Sequence, residues 1–214
     1  MLDLLYKTLL AYLIGTIMGG KLLGALLGID LGALGSGNVG ATNALRTQGK
    51  GFALGVLAID VAKGVVATLA VPQLPTLGAP LLGVAQQAYV CGVAAALGHC
   101  FPVFYGFKGG KGVATLAGVF SVLLGGALGW MLAAFVLVVM LSGYASLATL
   151  AAAAAALVWV TFAAPAGILG GAGLFTLTMS LLVVWTHRQN IGRLWRGEEH
   201  RFEKARVLGR WLRR

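Results

Sequence analysis

The sequence predicts an all-α integral membrane protein of about seven transmembrane helices, with its N-terminus outside and its C-terminus in the cytoplasm. Three observations carry this prediction. Of 214 residues, 59% are hydrophobic and only 10% are charged, with a mean hydropathy of +0.90. A soluble domain carries about 25% charged residues; the polar surface here is too small to shell a core, so the bilayer must be the solvent. The apolar residues fall in long runs separated by Gly, Pro and basic residues. The cations are unevenly spread, with 9 of the 16 Lys and Arg lying from Arg188 to Arg214. One multipass domain over 1–214, ending in a basic cytoplasmic tail from about 188, is the natural count at this length.

The spans follow from the breakers. The first runs from Leu4 to Leu27 and the second from Phe52 to Val71, where Pro72 and Pro75 make a turn. The third runs from Leu81 to Leu97. The fourth starts after Gly112 and stops near Gly125-Gly126. The fifth runs from Leu128 to Leu141, and the sixth from Leu147 to Phe162. Pro165-Ala166-Gly167 breaks the chain before a seventh, from Ile168 to Thr186. The fourth to sixth are short for a bilayer that needs about 20 residues per helix. The 33 glycines and the Ala151–Ala156 run suit close helix packing in lipid. The start, Met1-Leu2-Asp3-Leu4, has no basic n-region and no cleavage site, so the first span is expected to stay.

Charge parity sets the orientation. The connections after spans one, three and seven carry Arg46 and Lys50, then Lys108 and Lys111, then the basic tail. Those after spans two, four and six (72–80, 125–127 and 163–167) carry no Lys or Arg. Six spans would place the tail opposite a basic loop; seven place three polar blocks on one cytoplasmic face.

The first block is Gly35-Ser36-Gly37-Asn38-Val39-Gly40-Ala41-Thr42-Asn43. It matches a G-x-G-x-x-G string, but no strand precedes it, so the dinucleotide reading fails. What survives is a glycine loop whose N–H groups and side-chain donors, with Arg46 downstream, suit an anion; a plain helix-capping turn is the alternative. The second block runs from Gly98-His99-Cys100-Phe101-Pro102 to Phe107-Lys108-Gly109-Gly110-Lys111-Gly112. It is not a Walker A loop, because Gly112 stands where Ser or Thr would hold magnesium. Two lysines around paired glycines at a helix start suit phosphate, against the alternative of lysines snorkelling to headgroups. His99 reads as a packed histidine. In the third block, His187-Arg188-Gln189-Asn190-Ile191, residues 187 and 190 share a helix face; interfacial anchoring is the alternative, strongest for Arg188. Asp60 and Lys63, inside the second span, can pair at i,i+3, as a structural ion pair or as support for the basic site. Cys91 and Cys100 have no metal or disulfide spacing and read as packed small residues.

Taken together, GSGNVGATN with Arg46, then GH-x-FP with FKGGKGVAT, then HR-x-NI, resemble the bacterial acyl-phosphate-dependent glycerol-3-phosphate acyltransferases, the PlsY family. Asp60-x-x-Lys63-Gly64 is also similar to that family's second helix. The resemblance spans nearly the whole chain in order and spacing. It implies an inner-membrane enzyme of phospholipid synthesis with its site at the cytoplasmic face. The enzyme transfers an acyl group from acyl phosphate to the 1-hydroxyl of sn-glycerol 3-phosphate, giving lysophosphatidate and phosphate. Its implied partners are these two substrates and membrane lipids, with no cofactor, metal or nucleic acid; no oligomeric state is implied.

Residue by residue, the resemblance places phosphate binding on Arg46 and Lys111, with Lys108, Gly37, Asn43, Gly109, Gly110 and Arg188 beside them. Hydroxyl and amide contacts fall on Ser36, Asn38, His187 and Asn190. The catalytic set is His187, Asn190, Lys111 and Ser36, with Asp60 and Lys63 behind the site. Ser142-Gly143-Tyr144-Ala145-Ser146-Leu147 aligns Ser146 with a family serine, but Gly143 replaces the usual arginine and removes its cation. Gln189 replaces a common glutamate, and Gly32-Ala33-Leu34 replaces a stretch that is often basic. None of His99, His187 and His200 opens the His-x-x-x-x-Asp pattern of acyl-CoA-dependent acyltransferases.

The chemistry demands several cations. Two dianionic phosphates about 6 Å apart repel by on the order of 10 kcal/mol at an effective dielectric of 20, so one lysine cannot suffice. Phosphate leaves an acyl anhydride readily, so direct attack needs no covalent intermediate. Its proton acceptor is His187 or a phosphate oxygen of the donor, the latter favoured because no carboxylate stands in the sequence to orient His187. Backbone N–H groups of the glycine blocks are expected to hold the oxyanion. An anion transporter and a non-catalytic lipid-binding scaffold are the competing classes.

Overall fold

The computed structural model describes residues 1–211, and every regular element in it is helical. Arg213 and Arg214 of the basic tail lie outside the described residues. The chain forms two compact units, Met1–Leu123 and Leu124–Arg214.

In the first unit, α1 (Leu2–Gly15) and α2 (Gly19–Leu27) replace the single first span expected from the sequence. Their axes differ by 47°. Gly15, Gly19 and Gly20 are poor helix formers that cluster where the break falls. The short α3 (Ala41–Thr47) leads into α4 (Lys50–Leu69), α5 (Val84–Cys100) and α6 (Val113–Leu123). Helix α1 packs on α5, and α4 packs on α6. One small-residue core holds Ala11, Ala67, Cys91, Ala94 and Ala95; another, under the first polar block, holds Leu31, Ala44, Ala53 and Val56. Both cysteines are buried and unbridged.

Close backbone approach sets the α4–α6 crossing. A Cβ at Gly64 would lie 2.2 Å from the Thr115 carbonyl oxygen, and one at Gly118 would lie 2.2 Å from that of Val61. Each helix contributes the glycine that admits the other's backbone, as expected where lipid gives no hydrophobic drive for association.

A buried polar cluster closes the far end of α1. Asp3 and Lys7 are fully buried and 3.2 Å apart; the Lys7 ammonium also donates to Gln87 Oε1 and the Pro72 carbonyl, and Gln87 Nε2 donates to Asp3. Each charge is thus satisfied internally, as a site cut off from water requires.

The second unit holds α7 (Gly125–Ser142), α8 (Ala145–Ala163), α9 (Gly171–Thr186), α10 (Arg188–Arg196) and α11 (Val207–Trp211). Helix α8 packs between α7 and α9. The fifth and sixth spans, short by sequence, become helices of 18 and 19 residues. The fourth span stops at Leu123, close to the expected Gly125-Gly126, and these two glycines open α7. The seventh begins at Gly171 because 167–169 forms a 3-10 turn.

Among the described residues, four helices are long and apolar enough to cross a membrane, or five when the bent α1–α2 pair counts as one span; α6 and α9 are shorter apolar helices. Phe162, Leu169 and Trp130 are 85%, 83% and 63% exposed, an apolar surface that suits lipid and not water. The protein is a multipass membrane protein.

Replacing Gly118 by Leu drives a branched side chain into the Val61 backbone, and overpacking of this kind costs about 1–3 kcal/mol or more. Thermal unfolding in detergent is expected to show a clear fall in Tm for Gly118→Leu, and no comparable fall for Gly51→Leu, where a Cβ meets nothing within 4 Å.

Candidate active site

The first unit brings the first two polar blocks to one cleft of about 410 Å³, lined by Lys21, Asp30, Gly32, Ala33, Gly37, Val39, Lys108 and Gly109. The first block is stitched together by its own asparagines. The Asn43 carboxamide, 2% exposed, accepts from the Ser36 N–H and donates to the carbonyls of Leu31, Leu34 and Asn38. Asn38 Oδ1 accepts from the Gly40 N–H at 2.9 Å. Asn43, expected at the ligand, therefore shapes the loop, and Asn38 turns its oxygen to the same task. Ser36 and Gly37 remain exposed on the loop surface. Arg46 is half-buried in the last turn of α3, where a cation also meets the negative end of the helix dipole.

The second block departs from expectation in one respect. The Gly109 N–H donates to the Cys100 carbonyl at 3.2 Å and the Gly110 N–H to the His99 carbonyl at 3.1 Å. These amides cap the end of α5 and are spent, so Gly109 and Gly110 do not offer them to an oxyanion. The loop keeps its cations, exposed Lys108 and half-buried Lys111, at the start of α6, whose first-turn N–H groups have no partner within the helix.

Lys21 is a cation that the sequence reading passed over. It projects from α2 into the cleft, 3.1 Å from Asp30 Oδ1, which also accepts from the Gly32 N–H. Its ammonium lies 3.4 Å from where a Gly32 Cβ would stand. A cation thus reaches the place left by a missing side chain at 32. The Lys21 ammonium, the Gly32 N–H bond and the Lys21 charge hold the Asp30 carboxyl below the usual range.

Asp60 and Lys63 form the i,i+3 pair, 3.1 Å apart and almost fully buried. They mend the break between α1 and α2. Lys63 Nζ donates to the Gly15 and Ile17 carbonyls at 2.9 and 2.7 Å, and Asp60 Oδ1 accepts from the Gly19 N–H at 3.1 Å. The ammonium meets orphan carbonyls and the carboxylate an orphan amide, the polarity that helix ends require. His99, 3% exposed, joins the network through Nδ1, 2.6 Å from Lys63 Nζ.

The second unit gathers Ser146, Asn190 and Arg193 around Glu199, a residue with no motif in the sequence reading. Ser146 Oγ and Asn190 Nδ2 donate to Glu199 Oε1 at 2.8 and 2.7 Å, and Arg193 Nε donates to Oε2 at 2.8 Å. Burial pushes the Glu199 carboxyl up, but the bonds from Asn190, Arg193 and Ser146 outweigh it and hold the group below its usual range. His187, 3% exposed, caps the end of α9, and its Nδ1 lies 2.8 Å from the Val183 carbonyl. A carbonyl only accepts, so Nδ1 carries the proton and Nε2 is the accepting nitrogen of the neutral ring. The orientation that no carboxylate was seen to supply comes from the backbone. Arg188 donates to the Trp185 carbonyl and lies over its ring at 4.7 Å, an anchoring arrangement; Arg193 is the arginine in the cluster.

The space beside position 143 is taken by Arg201. Gly143 has φ of +78°, and a Cβ there would lie 2.8 Å from Arg201 Cγ. The Arg201 guanidinium crosses to sit 4.7 Å from the Tyr144 ring centroid. A cation from a later segment thus packs beside Gly143, ion-paired to Glu203.

The sequence profile described as glycerol-3-phosphate acyltransferase matches residues 5–197. The chain belongs to the glycerol-3-phosphate acyltransferase (PlsY) family. A glycerol-3-phosphate acyltransferase of Geobacter sulfurreducens is 41% identical over 204 residues, 95% of this chain and all of that one. One from Shigella flexneri is 42% identical over 196 residues, 89% of this chain and 88% of that one. Two crystal structures of PlsY, described as an integral membrane glycerol 3-phosphate acyltransferase, superpose over 96% of this chain and 98% of theirs. The glycerol 3-phosphate form has a TM-score of 0.82 at 35% identity, and the lysophosphatidic acid form 0.81 at 34%.

Glu199→Gln sets an amide donor against donors already in place and costs on the order of 2 kcal/mol. Since the folded carboxyl titrates below its usual range, its stabilisation is complete at neutral pH. It is lost as the pH falls through that lowered value. Thermal unfolding is expected to show wild-type Tm falling more steeply than that of Glu199→Gln below the ordinary carboxylate range, with the variant less stable at neutral pH.

Proposed function

We propose that this protein transfers an acyl group from acyl phosphate to the 1-hydroxyl of sn-glycerol 3-phosphate, giving lysophosphatidate and inorganic phosphate. The observation that carries the reading is the pair of PlsY crystal forms that match this chain, one with glycerol 3-phosphate and one with lysophosphatidic acid. The two ligands differ by one acyl group, which supports reading them as acceptor and product. Two features support acyl phosphate as the donor: phosphate is a good leaving group, and the cleft that gathers Lys21 and Lys108 suits a second phosphate.

In the proposed step the glycerol hydroxyl attacks the acyl carbonyl, the carbon–oxygen bond to phosphate breaks, and the departing phosphate leaves with the bonding pair. His187 Nε2 accepts the hydroxyl proton, which ends on the phosphate. Lys108, Lys111 and Arg46 offset phosphate charge, with Gly37 lining the cleft, Ser36 next to it in the chain and Lys21 added to the set. Asn190 and Ser146, oriented by Glu199, contact the substrate. The chain is read as one multipass acyltransferase domain. The chain crosses the inner membrane seven times, with α1–α2 as one bent span and α6 and α9 among the seven; the site is cytoplasmic and the acyl chain lies in the bilayer.

Purified protein is expected to form lysophosphatidate from acyl phosphate and glycerol 3-phosphate but not from acyl-CoA. Lys111→Ala and Asn190→Ala, folded by Tm, are expected to lose roughly 100-fold or more in kcat/KM. Full activity in both variants contradicts the site. Anion uptake by proteoliposomes without acyl transfer contradicts the reaction.

A further inference from the structure

The second polar block contains a histidine for which the proposed reaction has no task. His99 lies in the last turn of α5, directly beneath the glycine loop, and is 3% exposed. Its surroundings are fully specified on both sides of the ring.

On the inner side, Nδ1 is 2.6 Å from Lys63 Nζ and 3.2 Å from Thr115 Oγ1, but 3.6 Å from Asp60 Oδ1. The other neighbours of the Lys63 nitrogen are two carbonyl oxygens and a carboxylate oxygen, all acceptors. Lys63 is therefore an ammonium, which has three hydrogens and no lone pair. Its contact with Nδ1 requires that Nδ1 accept. The neutral ring then carries its proton on Nε2.

On the outer side, Nε2 abuts the glycine loop. A Cβ at Gly110 would fall 2.1 Å from it. The loop backbone is fastened to the same turn, with the Gly110 N–H on the His99 carbonyl and the Gly109 N–H on that of Cys100. The loop's height over α5 is thus limited by the ring edge below and by two backbone bonds beside it. Lys108 and Lys111 flank these two glycines, so the ring's position sets theirs.

We infer that His99 is a positioning residue for the Lys108–Gly112 loop. Lys63 holds it as the Nε2–H tautomer, and it sets where the loop's two lysines meet a phosphate group. The same buried ammonium that closes the α1–α2 break thereby fixes the floor of the loop. The inference rests on the proposed phosphate-binding role of the loop, and adds to it a residue whose effect reaches substrate only through Gly109 and Gly110.

The discriminating variant is His99→Asn, whose side-chain oxygen can accept from Lys63 in place of Nδ1 while the ring edge under Gly110 is lost. In the full-length protein in detergent, Tm, inorganic-phosphate affinity by titration, and kcat and KM for both substrates are measured. The expected result is a near-wild-type Tm, phosphate affinity weakened roughly tenfold, and a KM raised by a similar factor for the substrate whose phosphate the loop holds, with kcat changed far less. A folded His99→Asn protein with unchanged phosphate affinity and both KM values unchanged overturns the inference. Nitrogen-15 spectra of histidine-labelled wild-type protein need no variant to fold. They are expected to show His99 with protonated Nε2 and unprotonated Nδ1, and the opposite tautomer overturns it. Loss of phosphate affinity in His99→Asn, alongside a wild type that forms no lysophosphatidate, sustains the inference and sinks the proposed reaction instead.

Discussion

The buried Lys63 ammonium is the interaction on which the first unit depends. A helix broken inside a membrane exposes backbone groups that lipid cannot satisfy, at a cost of several kcal/mol each. Lys63 takes two of the carbonyls freed between α1 and α2, and Asp60 takes the Gly19 amide. Charge that would be prohibitive alone is consumed by the break, and the break is tolerable because the charge is there. From α4 the same ammonium reaches His99 on α5. The Lys63–Asp60 pair thereby ties α1, α2, α4 and α5 to the turn that carries the glycine loop.

The second unit solves a comparable problem with the opposite sign. Glu199 is the one acceptor shared by Ser146 on α8 and by Asn190 and Arg193 on α10. Three donors on two helices are aimed by one carboxylate. Functional side chains on short or terminal elements need such fixing, since a helix of nine residues such as α10 has little stability of its own. In each unit one buried charge holds several polar groups in place: Lys63 the broken backbone and His99, Glu199 the donors Ser146, Asn190 and Arg193.

The apolar helices were legible in the sequence because hydropathy and breakers report length and boundaries directly, and each of the seven apolar runs corresponds to helix. The α1–α2 break was not, because its cause lies on α4, far away in sequence. The i,i+3 spacing of Asp60 and Lys63 announced a pair but not what the pair serves. Glycines were only half legible. Their density at residues 35–40 and 109–112 marked the loops, but whether an amide faces a ligand or caps a helix depends on the fold, and Gly109 and Gly110 cap α5. Asn43 was ambiguous for the same reason: a donor-rich side chain in a loop is as readily used by the loop itself, as its bonds to Ser36, Leu31, Leu34 and Asn38 show. Glu199, Lys21 and Arg201 had no motif at all. The gaps at Gly32 and Gly143 were visible, but the long side chains that cross into them come from other segments.

The central claim is that acyl transfer is direct, with phosphate as leaving group and glycerol 3-phosphate as nucleophile. Phosphate release from acyl phosphate by the purified protein, followed with and without glycerol 3-phosphate, tests it most directly. The account predicts release only with the acceptor present, one phosphate for each lysophosphatidate formed, and no burst without it. A stoichiometric burst or steady release in the absence of glycerol 3-phosphate would contradict it.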